Sequence, residues 1–327
     1  MINFEYTRVS TVKDAVNALT KNSTGGFIAG GTNLVDLMKK GVMTPTRVID
    51  INNLPLRQIE ETDKGISIGA LAINSDVTAH GIVREKFPLL IMALEAGASG
   101  QLRNMATVGG NIMQRTRCVY FYDTTMPCNK RKPGSGCGAL QGFNRMHAIF
   151  GASTSCIAVH PSDMCVALAA LNAEVNVTGP KGDRKILFTD FHRLPGATPE
   201  KDNNLQKGEL ITSVAIPKNN FTHSYYLKIR DRTSYAFALV SVAVALELDN
   251  NTIKTARLAL GGVAHKPWRL NEVEKFLAGK TLSKETISTA ATMAIKGAKS
   301  YGHNDFKVKM VPAAIQQALQ LVSSQKS

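Results

Sequence analysis

Five cysteines stand in a chain of 327 residues, and four of them, Cys118, Cys128, Cys137 and Cys156, share one stretch. Thiols gathered in this way can ligate metal, pair as disulfides or stay free. Their spacing is C-x9-C-x8-C-x18-C, which is neither the C-x2-C of zinc ribbons nor the spacing of ferredoxins. The residues between them say more. "PCNKRKPGSGC" (127–137) is dense in Pro, Gly and Ser and has little reason to form helix or strand. A loop of about 40 residues without packing of its own is costly in conformational entropy, so something must tie it down. Four thiolates around an iron–sulfur cluster would do so, with Arg115, Arg117, Lys130 and Arg131 offsetting the negative charge. Structural zinc would use the same ligands. Two disulfides would serve in an oxidising compartment, and unligated thiols are the fourth reading. Cys165, inside "MCVALAALNAEV" (164–175), reads as a buried core residue. His147 and His160 read as core or hydrogen-bonding side chains rather than ligands.

Two diglycine sequences form a second group. "AGGTN" (29–33) lies between a short apolar run and a helical pattern. Successive glycines can take positive φ, and the amides of Gly30, Gly31, Thr32 and Asn33 can form a concave nest for phosphate at a helix start. A bare strand-to-helix turn is the plain alternative. The stretch is neither G-x-G-x-x-G nor a P-loop. "TVGGN" (107–111) repeats the small hydroxyl, Gly-Gly and Asn. Two such loops suggest a long ligand, such as a dinucleotide pyrophosphate, held between two lobes; a coincidental second turn is the alternative. In "HPSDM" (160–164), Pro161 sits near the first position of the next helix, which Ser162 or Asp163 can cap. Asp163 can otherwise accept hydrogen bonds from ribityl or ribose hydroxyls.

The elements that must position these groups follow from periodicity. Helical spacing marks 11–20, a strand, turn and helix span 25–40, and 47–51 reads as a buried strand. Residues 65–80 give strand, turn and helix start, 87–99 a buried helix, 156–179 strand, turn, helix and strand, and 208–217 a closing strand. A boundary falls near 218–222. Beyond it come strands with a turn at Asp249–Asn251, then helical patterns to the end. The fold class is α+β. The chain is long enough for a real core, and 44% hydrophobic with 20% charged residues is globular composition. The net charge of +14 suits a soluble basic surface or a docking face for acidic partners. The basic residues are scattered and carry no nucleic-acid-binding motif. "MINFEYTRVS" lacks the features of a signal peptide, which implies synthesis in the cytoplasm. A signal-bearing partner could still carry the folded chain to the periplasm.

Taken in order, "FIAGGTNL", "ATVGGNI", "HPSDM", "LKIRDRTSYAFALVSVAVAL" and "LGGVAHKPW" resemble the FAD-binding subunit of molybdenum hydroxylases, the family of xanthine dehydrogenases and carbon monoxide dehydrogenase medium subunits. The resemblance covers nearly the whole chain. With its cysteine insertion, the chain is most similar to the [4Fe-4S]-containing FAD subunit of periplasmic-type aldehyde oxidoreductases. Benzoyl-CoA-type reductases of the family carry such an insertion too, so it does not fix the substrate.

The resemblance implies a two-lobed FAD-binding domain of the vanillyl-alcohol-oxidase-like type, with lobes at 1–55 and 56–218 and the iron–sulfur insertion at about 115–157. A smaller α+β domain follows at 222–327. It implies that Phe27, Ile28, Ala29, Gly30, Gly31, Thr32, Asn33 and Leu34 wrap the FAD pyrophosphate. Thr107, Gly109, Gly110 and Asn111 form a second contact, Asp163 binds the sugar-like part, and Ile211 and Lys228 supply later flavin contacts. Cys118, Cys128, Cys137 and Cys156 would hold the [4Fe-4S] cluster. The expected assembly is a heterotrimer. A large subunit carries the molybdenum cofactor and oxidises an aldehyde, and a small subunit relays electrons through two [2Fe-2S] clusters. This chain passes them through FAD to an external acceptor and supplies no catalytic residue. Three other readings stand beside this one, the first being the FAD subunit of another molybdenum hydroxylase, of the xanthine or hydroxybenzoyl-CoA type. A self-contained FAD oxidase would need catalytic groups such as Tyr225, Arg230 or Tyr235, and a non-enzymatic basic binding module would be colourless.

Overall fold

The computed structural model describes residues 1–22 and 24–325, and its architecture is α+β built on three sheets. The first is parallel, with Arg47–Asp50 between Glu5–Arg8 and Gly25–Ile28. The crossover that parallel neighbours need, from Gly25–Ile28 to Arg47–Asp50, runs through the helix Leu34–Lys39, and the helix Val12–Lys21 links the two outer strands. Thr11 caps that helix by accepting from the Asp14 amide at 3.1 Å, and its Ala15 and Val16 are buried beneath the sheet.

The second sheet has five antiparallel strands in the order Ile59–Thr62, Gly65–Gly69, Leu210–Pro217, Glu174–Gly179 and Gly182–Leu187. The third has four, in the order Trp268–Arg269, Thr252–Gly261, Val240–Asp249 and His223–Ile229. Asn250, at φ 53°, makes the reversal between its two long strands, a conformation Asn tolerates. Helices Asn271–Leu277, Lys284–Ala294 and Asp305–Ser323 share a core with this sheet. The last helix begins before the apolar run that the periodicity marks, and it contains Pro312.

The helix Asp163–Ala170 explains its own composition. Every residue in it is buried, because it packs against the helix Pro88–Ala96 on one side and strands of the third sheet on another. A helix covered all round is apolar all round. Each such Leu or Met contributes roughly 1.5–3 kcal/mol by leaving water. Residues 148–158, expected to include strand, instead form bends and a turn closed by an isolated bridge between Ser153 and Cys156. Ile149 and Phe150 both donate backbone hydrogen bonds to the Val263 carbonyl, at 2.9 and 3.0 Å. Among the described residues, no helix is long and apolar enough to cross a membrane.

Candidate functional site

The strand Gly25–Ile28 delivers the chain into Ala29–Asn33 at the start of the helix Leu34–Lys39. Gly31 takes φ +71°, so the turn needs a glycine there. Among the described residues, the amides of Gly31, Thr32, Asn33 and Leu34 meet no backbone acceptor, and Thr32 is exposed. That is the donor set a pyrophosphate requires. Gly30 allows close approach of a different kind. A Cβ there would lie 1.8 Å from the Met105 carbonyl oxygen, so the two lobes touch backbone to backbone.

Beneath the loop, Asn52 donates its side-chain amide to the Ala29 carbonyl at 3.1 Å and to Asp50 at 2.8 Å. Asp50 also accepts from the Asn52 amide at 2.9 Å, from Arg8 at 3.0 Å and from the Tyr6 hydroxyl. Burial alone would raise the Asp50 carboxyl, but these donors outweigh it and hold it down to about 2.

The second diglycine is a different device from the first. Thr107 caps a short helix, Val108–Ile112, by accepting from the Gly110 amide at 3.1 Å. The Val108, Gly109 and Asn111 amides go to the Ala72, Ala70 and Thr107 carbonyls. These amides are therefore occupied, and this turn offers the bare backbone of Gly110 and the side chain of Asn111 instead. Asn111 accepts from Ser162 at 2.6 Å, which joins the turn to the HPSD stretch. Ser162, rather than Asp163, caps the following helix, accepting from the Cys165 amide at 3.1 Å.

Asp163 is bound to the third sheet. Its carboxylate accepts from Lys228 at 2.8 Å and from the Tyr226 hydroxyl at 2.8 Å, with both ion-pair side chains buried. Burial, with the Asp163 charge beside it, keeps the Tyr226 phenol far above its ordinary value, so it stays a donor. Lys228 also donates to the Ala96 carbonyl at 2.9 Å. Ile211 lies within the apolar core of the five-stranded sheet.

The cysteine segment is coil apart from the short helix Val119–Tyr122. Cys118, Cys128, Cys137 and Cys156 line one small cavity, and Cys128 faces Cys137 across an isolated antiparallel bridge. All five cysteines are free thiols. A single zinc ion would draw its four sulfurs to roughly 3.8 Å from one another, given bonds of about 2.3 Å. Among the described residues, the only group of three or more such side chains with ligand atoms within 4.8 Å is His160, Cys165 and His192. The quartet is therefore spread more widely than a single bound ion would hold it. Burial pushes the Cys118 thiol up to about 12 and Cys156 to about 11, so these are inert thiols unless a metal displaces the proton.

The basic side chains hold the segment in place. Arg131 donates to the Tyr120 and Phe121 carbonyls, both at 2.8 Å, and to those of Thr124 and Met126. Arg115 and Lys130 share Asp202, at 2.6 and 2.5 Å. The fully buried Lys307 donates to the His147 and Gly262 carbonyls at 3.0 and 2.7 Å, tying the segment's end to the last helix.

A cavity of about 130 Å³ lies between the His160–Asp163 stretch, the Phe237 loop and the start of the cysteine segment. It shares Thr116 and Cys118 with the quartet's cavity. Tyr225, Arg230 and Tyr235 do not line it. Tyr225 packs on the C-terminal core, Arg230 donates to the Ala96 carbonyl at 3.2 Å, and Tyr235 is exposed.

Comparison with known proteins agrees with this arrangement. Residues 2–219 match the family of the FAD-binding domain in molybdopterin dehydrogenase, and residues 225–322 match the CO dehydrogenase flavoprotein C-terminal domain. The chain is 52% identical to the aldehyde oxidoreductase FAD-binding subunit PaoB of Escherichia coli, over 84% of this chain and 86% of that one. It is 32% identical to the glyceraldehyde dehydrogenase medium chain of Sulfolobus acidocaldarius, over 88% and 86%. A solved carbon monoxide dehydrogenase of Hydrogenophaga pseudoflava superposes with a TM-score of 0.79, at 26% identity and complete coverage of both chains.

Proposed function

The chain belongs to the FAD-binding family of the molybdenum hydroxylases, and on that premise we propose that it is the FAD- and [4Fe-4S]-containing electron-transfer subunit of a molybdenum-dependent aldehyde oxidoreductase. In this reading it works beside a large molybdenum-cofactor subunit and a small subunit with two [2Fe-2S] clusters, and it hands electrons to an external acceptor. FAD supplies the exchange between single electrons and pairs. The chain's own residues bind and orient.

The free amides of Gly31 to Leu34 take the pyrophosphate, flanked by Phe27, Ile28 and Ala29. Gly30 brings that loop against the second lobe, where Thr107, Gly109, Gly110 and Asn111 form the adjoining wall. Asp163 and Lys228, locked to one another, present a fixed pair of charges to the sugar-like and ring portions. Ile211 supports the wall from the core.

The observation that carries the reading is the cavity lined by all four cysteines, which shares Cys118 with the larger cavity bordered by Asp163. The larger sequence likeness to an aldehyde oxidoreductase subunit supports the aldehyde class.

Replacing Cys128 by Ser tests it. Iron is expected to be lost while flavin stays bound. A loss of folding stability with an unchanged potential of the bound flavin marks the cluster as a clasp, and an intact fold with altered acceptor use marks it as a relay. A Cys128→Ser chain with the same iron content as the parent contradicts the ligand assignment.

A further inference from the structure

Two imidazoles reach the cysteine quartet from different parts of the chain. His147 Nε2 lies 3.1 Å from Cys118 Sγ, and His265 Nε2 lies 3.2 Å from Cys156 Sγ. Both histidines are buried, and in both the other ring nitrogen, Nδ1, has no partner. Resting on the iron–sulfur reading above, we propose that His147 and His265 each donate an N–H to a ligand sulfur and thereby raise the reduction potential of the group those sulfurs hold.

The tautomer follows from the pairing. A metal-bound thiolate has no hydrogen to offer, so a contact at this distance needs the hydrogen on Nε2. Placing it on Nδ1 would bury a donor without an acceptor, which costs about 1–3 kcal/mol, and would set a lone pair against an anionic sulfur. A bare Nδ1 lone pair is the lesser cost.

The backbone that carries each ring is also pinned. The His147 carbonyl accepts from Lys307 at 3.0 Å. Beside His265, the Ala264 carbonyl accepts from the His160 amide at 2.9 Å. Reduction adds negative charge to the group, and an N–H dipole aimed at a ligand sulfur stabilises that added charge. Among the described residues, no side chain donates to the sulfur of Cys128 or Cys137, so the effect enters from two corners of the quartet. One of these donors comes from the C-terminal third of the chain.

The test is an EPR-monitored redox titration of the full chain. His147→Leu and His265→Leu are expected to retain iron, sulfide and flavin. Each should shift the reduction equilibrium roughly tenfold toward the oxidised form, which is about 59 mV lower for a one-electron couple. The flavin potential should stay unmoved. His147→Gln and His265→Gln keep a side-chain N–H and should recover much of the shift. A measurement on the unaltered protein avoids dependence on the variants: after exchange into deuterated water, pulsed EPR of the reduced state should lose a proton coupling. Leucine variants with the parental potential, or absence of that exchangeable coupling, would overturn the proposal. Iron lost from leucine and glutamine variants alike would also overturn it, by marking the imidazoles as ligands. A parent chain without iron overturns the cluster reading as well, whereas iron present with unmoved potentials overturns this inference alone.

Discussion

Asn33 accepts a hydrogen bond from the Arg115 amide at 2.9 Å and donates to the Tyr122 hydroxyl at 3.3 Å. One side chain thus joins the first glycine loop to the start of the cysteine segment, and the two halves of the site share a fastening. Asn33→Ala should weaken both at once. Faster flavin loss on dilution and faster iron release to a chelator are expected together, with about 1–3 kcal/mol of stability lost. Loss of flavin alone, with unchanged iron release, would show that the halves are independent.

Gly30 tests the contact between lobes. A methyl group there meets the Met105 carbonyl oxygen at 1.8 Å, which no side-chain rotation relieves. Gly30→Ala should therefore part the lobes and lower both thermal stability and flavin occupancy. Gly41→Ala is the control. Its φ is +68° but nothing lies within 4 Å of a Cβ, so it should cost only about 1–2 kcal/mol of backbone strain and leave flavin bound. Equal effects from the two substitutions would contradict the account of the lobe contact.

Acid should loosen the first lobe through Asp50. Its carboxyl is held at about 2 against an ordinary 3.8. A carboxyl depressed on folding stabilises the protein above its unfolded value and loses that contribution as pH falls through the folded one. About 2 kcal/mol is thus present above pH ~4 and lost as pH falls toward ~2. Asp50→Asn should be less stable than the parent by that amount at neutral pH. Its stability should also depend less on pH within that window, as followed by urea unfolding. An unchanged pH dependence would remove Asp50 from its supporting role.

The buried pair of Asp163 and Lys228 should be intolerant of half-removal. Lys228→Met leaves the carboxylate buried without its partner, at a cost of about 3–5 kcal/mol. Adding Asp163→Asn to that variant removes the stranded charge and should restore part of the stability. Flavin occupancy should stay low in both. A double variant no more stable than Lys228→Met would show that the pairing is not what the single substitution broke.

Much of this was legible in the residues, and the reasons differ by element. Gly30 and Gly31 announced a strand-to-helix turn because flanking periodicity left no other place for them. The segment 127–137 announced itself as coil because Pro, Gly and Ser favour neither helix nor strand. The form of the second diglycine was not legible: Thr107 makes it a capped helix, and capping depends on where one hydroxyl points. The pairing of Asp163 with Tyr226 and Lys228 was not legible, because these partners lie more than sixty residues away. His265 gave no local sign of its contact with Cys156, since only the docking of the third sheet brings them together. Pairings of that kind are written in tertiary packing, which periodicity does not report.

The central claim is that a flavin and a four-cysteine iron–sulfur group sit side by side in this chain. The most direct measurement is a visible absorption spectrum of the purified protein before and after dithionite, with iron, sulfide and flavin assayed on the same sample. The account requires flavin bands over a broad iron–sulfur shoulder, both bleached by the reductant, with iron and acid-labile sulfide in equal amounts. Zinc in place of iron, or a colourless protein after gentle purification, would contradict it.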